Sequence, residues 1–220
     1  MAETADAEIL TWSDFALTGC VSRQARTPGD GEEDGLPVQI NLGCGNQRLP
    51  GYFGLDRLRQ AGTDLICDLN RPLPLASHSV DHVAAKSLLE HIDQLETLLA
   101  EVLRVLKPGG AFYVYVPHWS NPFYYSDYTH RRFFGLATFD YFADVPDQIY
   151  RRVPVYTSLR FQTAGVRLIF KSPFGCLTWL MKGFQWIVNR SVPLQLLYEF
   201  HLSSFVPCYA IEYVLRPRGG

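Results

Sequence analysis

No two of the five cysteines stand in a C-x-x-C pair, and Cys20, Cys44, Cys67, Cys176 and Cys208 are scattered along the whole chain. Neither a zinc knuckle nor a disulfide framework is supported by such spacing. Reduced cysteines, as in a cytoplasmic protein, are the plain expectation. Net charge is also nearly absent: 20 Lys and Arg stand against 22 Asp and Glu, a formal −2. That balance lacks the basic footprint of a nucleic-acid binder, so nucleic acid is not an expected partner. No run reaches the ~18 consecutive apolar residues that a membrane span needs. The most apolar stretch, 176–188, is interrupted by Lys182 and Gln185. The N-terminus offers Glu3, Asp6 and Glu8 where a signal peptide would have basic residues before an apolar run, so none is expected.

What is present is an ordinary globular composition. Hydrophobic residues make up 47% and charged residues 19%, which excludes wholesale disorder. The 220 residues suffice for one domain with modest extensions. Ile9, Leu10, Trp12, Phe15 and Leu17 form a loose apolar set compatible with a short helix. A turn-rich acidic segment, 27–35, reads as a linker. Residues 1–35 are therefore expected to be an extension, and 36–220 the compact domain.

Short apolar runs at 38–42, 52–55, 64–67 and 80–84 read as buried strands, each bounded by glycine or aspartate. Leu89, Ile92, Leu95, Leu98, Leu99, Val102, Leu103 and Leu106 recur at spacings of three and four, the mark of an amphipathic helix. Lys107-Pro-Gly-Gly110 stops it, and 111–116 forms a strongly apolar strand. A strand, a helix and a second strand in this order form a right-handed crossover in a mostly parallel sheet.

Asn41-Leu-Gly-Cys-Gly-Asn46 resembles the glycine-rich first motif of class I S-adenosylmethionine-dependent methyltransferases. Asp68-Leu-Asn-Arg-Pro-Leu-Pro-Leu75, Leu89-Glu-His91 and Arg104-Val-Leu-Lys-Pro-Gly-Gly110 are similar to later motifs of the same family, in the same order. The resemblance implies an α/β, Rossmann-like, mostly parallel seven-stranded sheet with helices on both faces and a C-terminal antiparallel hairpin. It implies S-adenosylmethionine as cofactor, bound by Asn41, Gly43, Cys44, Gly45, Asp56, Asp68, Leu69, Ser87 and His91. Glycines let a backbone approach a ligand closely. Loop N–H groups can hold a carboxylate. An acid at the end of the second strand can accept from both ribose hydroxyls, as in dinucleotide folds. Asp56 holds that place, and Asp68 with Leu69 is placed for the adenine. The family pattern breaks in two positions: Asn41 replaces an acid and Gln47 a third glycine. Only about nine residues separate Leu42 from Tyr52, fewer than the dozen a crossover helix needs. The first helix is therefore expected to shrink to a turn bent at Gly51. NAD fits worse, because no G-x-G-x-x-G is present.

The segment after the fifth strand, 117–150, reads as an acceptor-side insertion, at the strand end where open α/β sheets bind ligands. Its aromatic and ionisable density peaks between His118 and Phe134. A D-x-T-H sequence, Asp127 to His130, resembles a bacterial branch of the family linked to sugar and cell-envelope chemistry. A small-molecule or glycoconjugate acceptor, methylated at oxygen, is the expectation. His130 is the candidate base, Asp127 its orienting carboxylate three residues earlier, and His118 the substitute. The alternative is that these residues only fix the loop. No metal is expected, since the spacing of His118, Asp127 and His130 matches no ligand pattern. Asn121-Pro-Phe-Tyr124 approaches the amine-binding tetrad of other methyltransferases but begins several residues too late. A binding protein without transfer activity is the competing function.

In the C-terminal third, 153–156 and 166–171 read as strands with a bend at Gly165, and 207–215 as the last strand. Residues 172–204 read as an apolar helical cover. With Trp179 and Trp186, the 176–188 helix suits a core lid, a dimer contact or a peripheral membrane contact.

Overall fold

The computed structural model describes residues 37–218. The N-terminal helix and linker read from the sequence lie outside the described residues. Seven strands form one sheet in the order β3-β2-β1-β4-β5-β7-β6. They are β1 (Gln39–Leu42), β2 (Phe53–Asp56), β3 (Leu65–Ile66), β4 (Val80–Lys86), β5 (Leu106–Pro117), β6 (Phe161–Ile169) and β7 (Ala210–Pro217). The first five are mutually parallel. β7 runs antiparallel to both β5 and β6, the terminal hairpin expected.

Alternation along the strands separates two faces. Ile40, Leu42, Val83, Ala85, Phe112, Val114, Ile211 and Leu215 belong to the large core cluster. Helix α1 (Leu95–Val105) buries Leu95, Leu98, Leu99, Val102 and Val105 in that same cluster. Its polar side carries Arg104, whose guanidinium donates to the carbonyls of Leu73 and Leu75 and to Glu101. That clamp explains why the Pro-Leu-Pro-Leu75 stretch is held without regular structure.

The opposite face holds a smaller cluster of Tyr52, Ala84, Ala111 and Tyr113. The segments that would carry helices to this face are turns, as the short β1–β2 spacing predicts. Gly51 bends the first with φ +80°. The two turns press together tightly. A Cβ on Gly54 would lie 2.0 Å from the Gly62 carbonyl oxygen, and Gly62 donates to the Gly45 carbonyl at 3.1 Å. Glycine is required at 54 because backbone, not a movable side chain, occupies the space.

Two expectations fail in the C-terminal third. Residues 153–156 form no strand, because the Gln148 side-chain amide takes both backbone groups of Val153, accepting from its N–H and donating to its carbonyl. Asp140 similarly accepts from the N–H groups of Ile149, Tyr150 and Arg151. Side chains thus satisfy a backbone that would otherwise need a ladder. Gly165 bends no junction between strands; it sits inside β6 at a shift of register. Helices α2 (Thr178–Val188) and α3 (Val192–Leu197) follow, then a single π turn at Tyr198–Leu202.

Candidate active site

The glycine loop leaves β1 with Gly43 at φ +62° and Gly45 at +53°, conformations that favour glycine. A Cβ on Gly43 would also meet Leu88 Cδ1 at 2.6 Å. The loop is closed against the end of β2. Gly43 and Cys44 donate to the Leu55 carbonyl, and Gly45 donates to Asp56 Oδ2 at 2.9 Å. These three N–H groups are therefore engaged within the protein. The Cys44 thiol is buried, pointing to Thr63 Oγ1 at 3.7 Å, and burial raises its pKa. Asn41 is buried in β1.

Asp56 stands at the tip of β2, its oxygens accepting from Gly45 and, at 3.0 Å, from Leu58 N–H. A carboxylate has about four lone-pair sites. Asp56 keeps two for a vicinal diol, so its geometry fits a ribose. Asp68 caps its own turn, accepting from the backbone and side chain of Asn70, which lowers its pKa. Leu69 does not reach a ring site. It is 5% exposed inside the core cluster. Leu58, two residues after Asp56 and 54% exposed, is the apolar side chain open at this edge, and the sequence reading passed over it. Ser87, where β4 ends, is exposed with φ +50°, an unusual conformation outside glycine. Lys86 beside it donates to Gln47 Oε1 at 3.1 Å.

The chain turns from Ser87 and Leu88, whose side chain lies against Gly43, into a 3-10 turn, Leu89–His91. The Asp127–Arg132 segment is pinned over it. Arg131 N–H donates to the Glu90 carbonyl at 2.8 Å, and Arg132 to the Asp93 carbonyl at 2.7 Å. His91 and His130 thereby come within 4.7 Å, ring centre to centre.

Both imidazoles have a fixed tautomer. His130 Nδ1 lies 2.9 Å from the Tyr124 carbonyl, which only accepts, so Nδ1 carries the proton. Thr129 Oγ1 donates to Asp127 Oδ1 at 2.6 Å and so receives from His91 Nδ1 at 2.9 Å. In each neutral ring Nε2 is left as the basic nitrogen. Burial and the neighbouring His130 lower the pKa of His91. The contact that holds Nδ1 of His130 is thus the Tyr124 carbonyl rather than Asp127. Asp127 Oδ2 lies 3.6 Å from Nε2, on the basic side of the ring. Glu90 is 1% exposed, and burial pushes its carboxyl up to about 7. Its Oε2 has no hydrogen-bond partner among the described residues. A lone Glu before a His carried no signal in sequence beyond the family motif.

His118 stays apart from this group. It is fully buried, Nδ1 accepting from Ser120 N–H and Nε2 facing Glu199 Oε2 at 3.2 Å. Glu199 also accepts from Leu136 N–H, so this histidine ties the π turn to the loop after β5. Asn121 is likewise structural, with its amide donating to the Tyr209 carbonyl and its oxygen accepting from Phe123 N–H.

A family model described as a methyltransferase domain matches residues 54–114. The ubiquinone/menaquinone biosynthesis C-methyltransferase UbiE of Desulfotalea psychrophila is 47% identical over 45 residues. Residues 54–114 thus resemble a methyltransferase domain, and the seven-stranded order with its antiparallel hairpin is the fold expected of class I S-adenosylmethionine-dependent methyltransferases. The aligned stretch covers 20% of this chain and 18% of that relative. A chain from the Haloferax volcanii complex of the Trm112 methyltransferase activator with a methyltransferase aligns at TM-score 0.50 and 16% identity, over 83% of each chain. That likeness is one of fold alone.

Proposed function

We propose that the chain transfers a methyl group from S-adenosylmethionine to a hydroxyl of a small-molecule, sugar or glycoconjugate acceptor, with His130 taking the acceptor's proton. The observation that carries this reading is the basic Nε2 of His130, its tautomer held by the Tyr124 carbonyl. Bound S-adenosylmethionine supplies an electrophilic methyl on a sulfonium. Asp56 would hold the ribose, with Asp68 and Leu58 at the adenine edge and Ser87 and Lys86 near the amino-acid end. Asn41, Gly43, Cys44 and Gly45 serve by shaping the loop. A hydroxyl keeps its proton near pH 7, so a base matters there, while positioning supplies much of the remaining rate. Protonation of His130 creates an imidazolium facing Asp127 Oδ2, which stabilises it.

The helical cover supports an acceptor held at a membrane surface. Trp179, Trp186, Phe200 and Phe205 are between 62% and 82% exposed, while Val188, Met181 and Phe184 pack on the core, so the cover turns an aromatic face outward. Residues 170–198 contain Lys171, Lys182 and Arg190 but no Asp or Glu. No helix among the described residues is long and apolar enough to cross a membrane. An exposed tryptophan-rich helix with only basic charges lies on an anionic surface rather than through it.

Calorimetry with S-adenosylhomocysteine should give micromolar binding, about −8 kcal/mol. With lipid-linked glycans from a cell extract as acceptors, His130→Ala should slow turnover by about 10²–10⁴-fold and leave that affinity unchanged. Cosedimentation with phosphatidylglycerol vesicles should fall on Trp179→Ser with Trp186→Ser. Wild-type turnover by His130→Ala from pH 6 to 9 would remove the base. Equal sedimentation of the tryptophan variant, or a dimer broken by it, would remove the membrane.

A further inference from the structure

The structure assigns a divalent-cation site to Glu90, His91 and His130, a different trio from the one the sequence spacing rejected. One ligand atom from each residue lies within 4.8 Å of the other two. The three come from two distant segments, the turn after β4 and the Asp127–Arg132 loop, so their meeting is a product of the fold. Two imidazole nitrogens and one carboxylate oxygen are a donor set that first-row divalent cations such as Zn2+ accept.

The surroundings are built as metal sites are built. A ligating histidine uses its far nitrogen, with the near one donating to a carbonyl or carboxylate that fixes the ring. His130 donates from Nδ1 to the Tyr124 carbonyl, and His91 from Nδ1 to Thr129, which is itself held by Asp127. Both Nε2 atoms are thus presented as ligands. The carboxylate adds the independent observation: Glu90 is buried, and its Oε2 accepts from nothing described. A buried polar atom without a partner is costly, and a cation would satisfy it. Zn–N and Zn–O distances near 2.0–2.1 Å place ligand atoms about 3.4 Å apart, so loading would draw the three together. Asp127, exposed beside His130, can close one further position, leaving the rest open.

The binding stands on these residues alone. Its consequence for catalysis rests on the proposed transfer: a cation would occupy the His130 nitrogen that otherwise takes the proton, and would activate an acceptor hydroxyl in its place.

The test uses the full chain stripped with a chelator. Co2+ is titrated by visible absorption and Zn2+ by calorimetry, with S-adenosylhomocysteine affinity measured on the same samples. One equivalent of cation should bind. Glu90→Gln and His130→Asn should each weaken it at least about 100-fold, and Thr129→Val by about 10–100-fold. Glu90→Gln keeps the buried shape, and its circular dichroism and cofactor affinity report folding. Absence of stoichiometric binding by folded protein up to ~1 mM metal, or binding undiminished in both ligand variants, overturns the site. Retained S-adenosylhomocysteine affinity in that case leaves the proposed transfer standing.

Discussion

At the glycine loop, the N–H groups of Gly43, Cys44 and Gly45 all end on protein acceptors, and both oxygens of Asp56 already receive a backbone donor. At the His91–His130 edge, two ring nitrogens stand as acceptors and Glu90 Oε2 ends on nothing described. In the first region the loop N–H groups are spent within the protein and only the remaining lone pairs of Asp56 are left for a ligand; the second holds its polar groups in reserve. Substitutions of the glycines should therefore act as stability defects, that of Asp56 as a defect of both stability and binding, and those in the second region as chemical defects. His118 groups with the first region, since both its ring nitrogens have partners within the protein.

The largest stability effect should come from Gly54→Ala. Its Cβ would lie 2.0 Å from the Gly62 carbonyl oxygen and 2.9 Å from Cys44 Sγ. The two turns that replace crossover helices would have to separate, at a cost of about 3–5 kcal/mol. Urea unfolding followed by circular dichroism measures it. A loss below about 1 kcal/mol would mean the turns are soft and the scaffold is not preformed.

Asp56→Ala comes next. It should weaken S-adenosylhomocysteine binding by about 1–3 kcal/mol, leaving ribose hydroxyls and two loop N–H groups without their acceptor. Calorimetry at matched folded fraction separates the two losses.

The contrast also explains what was legible in the sequence. Glycine, aspartate and helix periodicity are local signals, so β1, β2, β4, β5, α1 and the missing first helix could all be read. Leu69 was assigned to the adenine from the motif alone; it lies in the turn after β3, where no periodicity says which way a side chain faces, and it packs into the core. The 153–156 strand was misread because Gln148 and Asp140 supply hydrogen bonds that no periodicity announces. Glu90 and His130 lie forty positions apart in sequence, so their meeting depends on the Arg131 and Arg132 contacts that pin one segment to the other. The tautomers of His91 and His130 depend on a threonine and a carbonyl, which carry no sequence signature at all.

A pH effect should arise on the face away from the site. His82 is partly buried on β4 near the Tyr113 ring, and its Nδ1 has no partner among the described residues. Burial lowers its pKa below 6.5, opposed by Asp81 and assisted by Arg216. The folded state prefers the neutral ring. The contribution is therefore full above the unfolded pKa near 6.5 and is lost as pH falls through the folded value. Wild-type melting temperature should drop between pH 7 and 5 more than that of His82→Gln. Parallel curves would show that the ring ionises without cost.

The smallest expected effect separates the two carboxylates that the sequence treats alike. Asp56 is 9% exposed and accepts one bond from the glycine loop besides the bond within its own turn, whereas the Asp68 side chain is half exposed and bonds only within its own turn. Its contacts to Asn70 and Arg71 are local, and water replaces them readily when the side chain is removed. A contact to an adenine amino group at so wet an edge competes with solvent on equal terms. Asp68→Ala should therefore weaken S-adenosylhomocysteine binding by less than about fivefold and leave the melting temperature within error, even though the residue sits in the more motif-like position. Calorimetry of Asp68→Ala beside Asp56→Ala decides the ranking. If Asp68→Ala proves the more damaging, the adenine rather than the ribose anchors the cofactor, and the turn at Asp68 is a binding element that its exposure conceals.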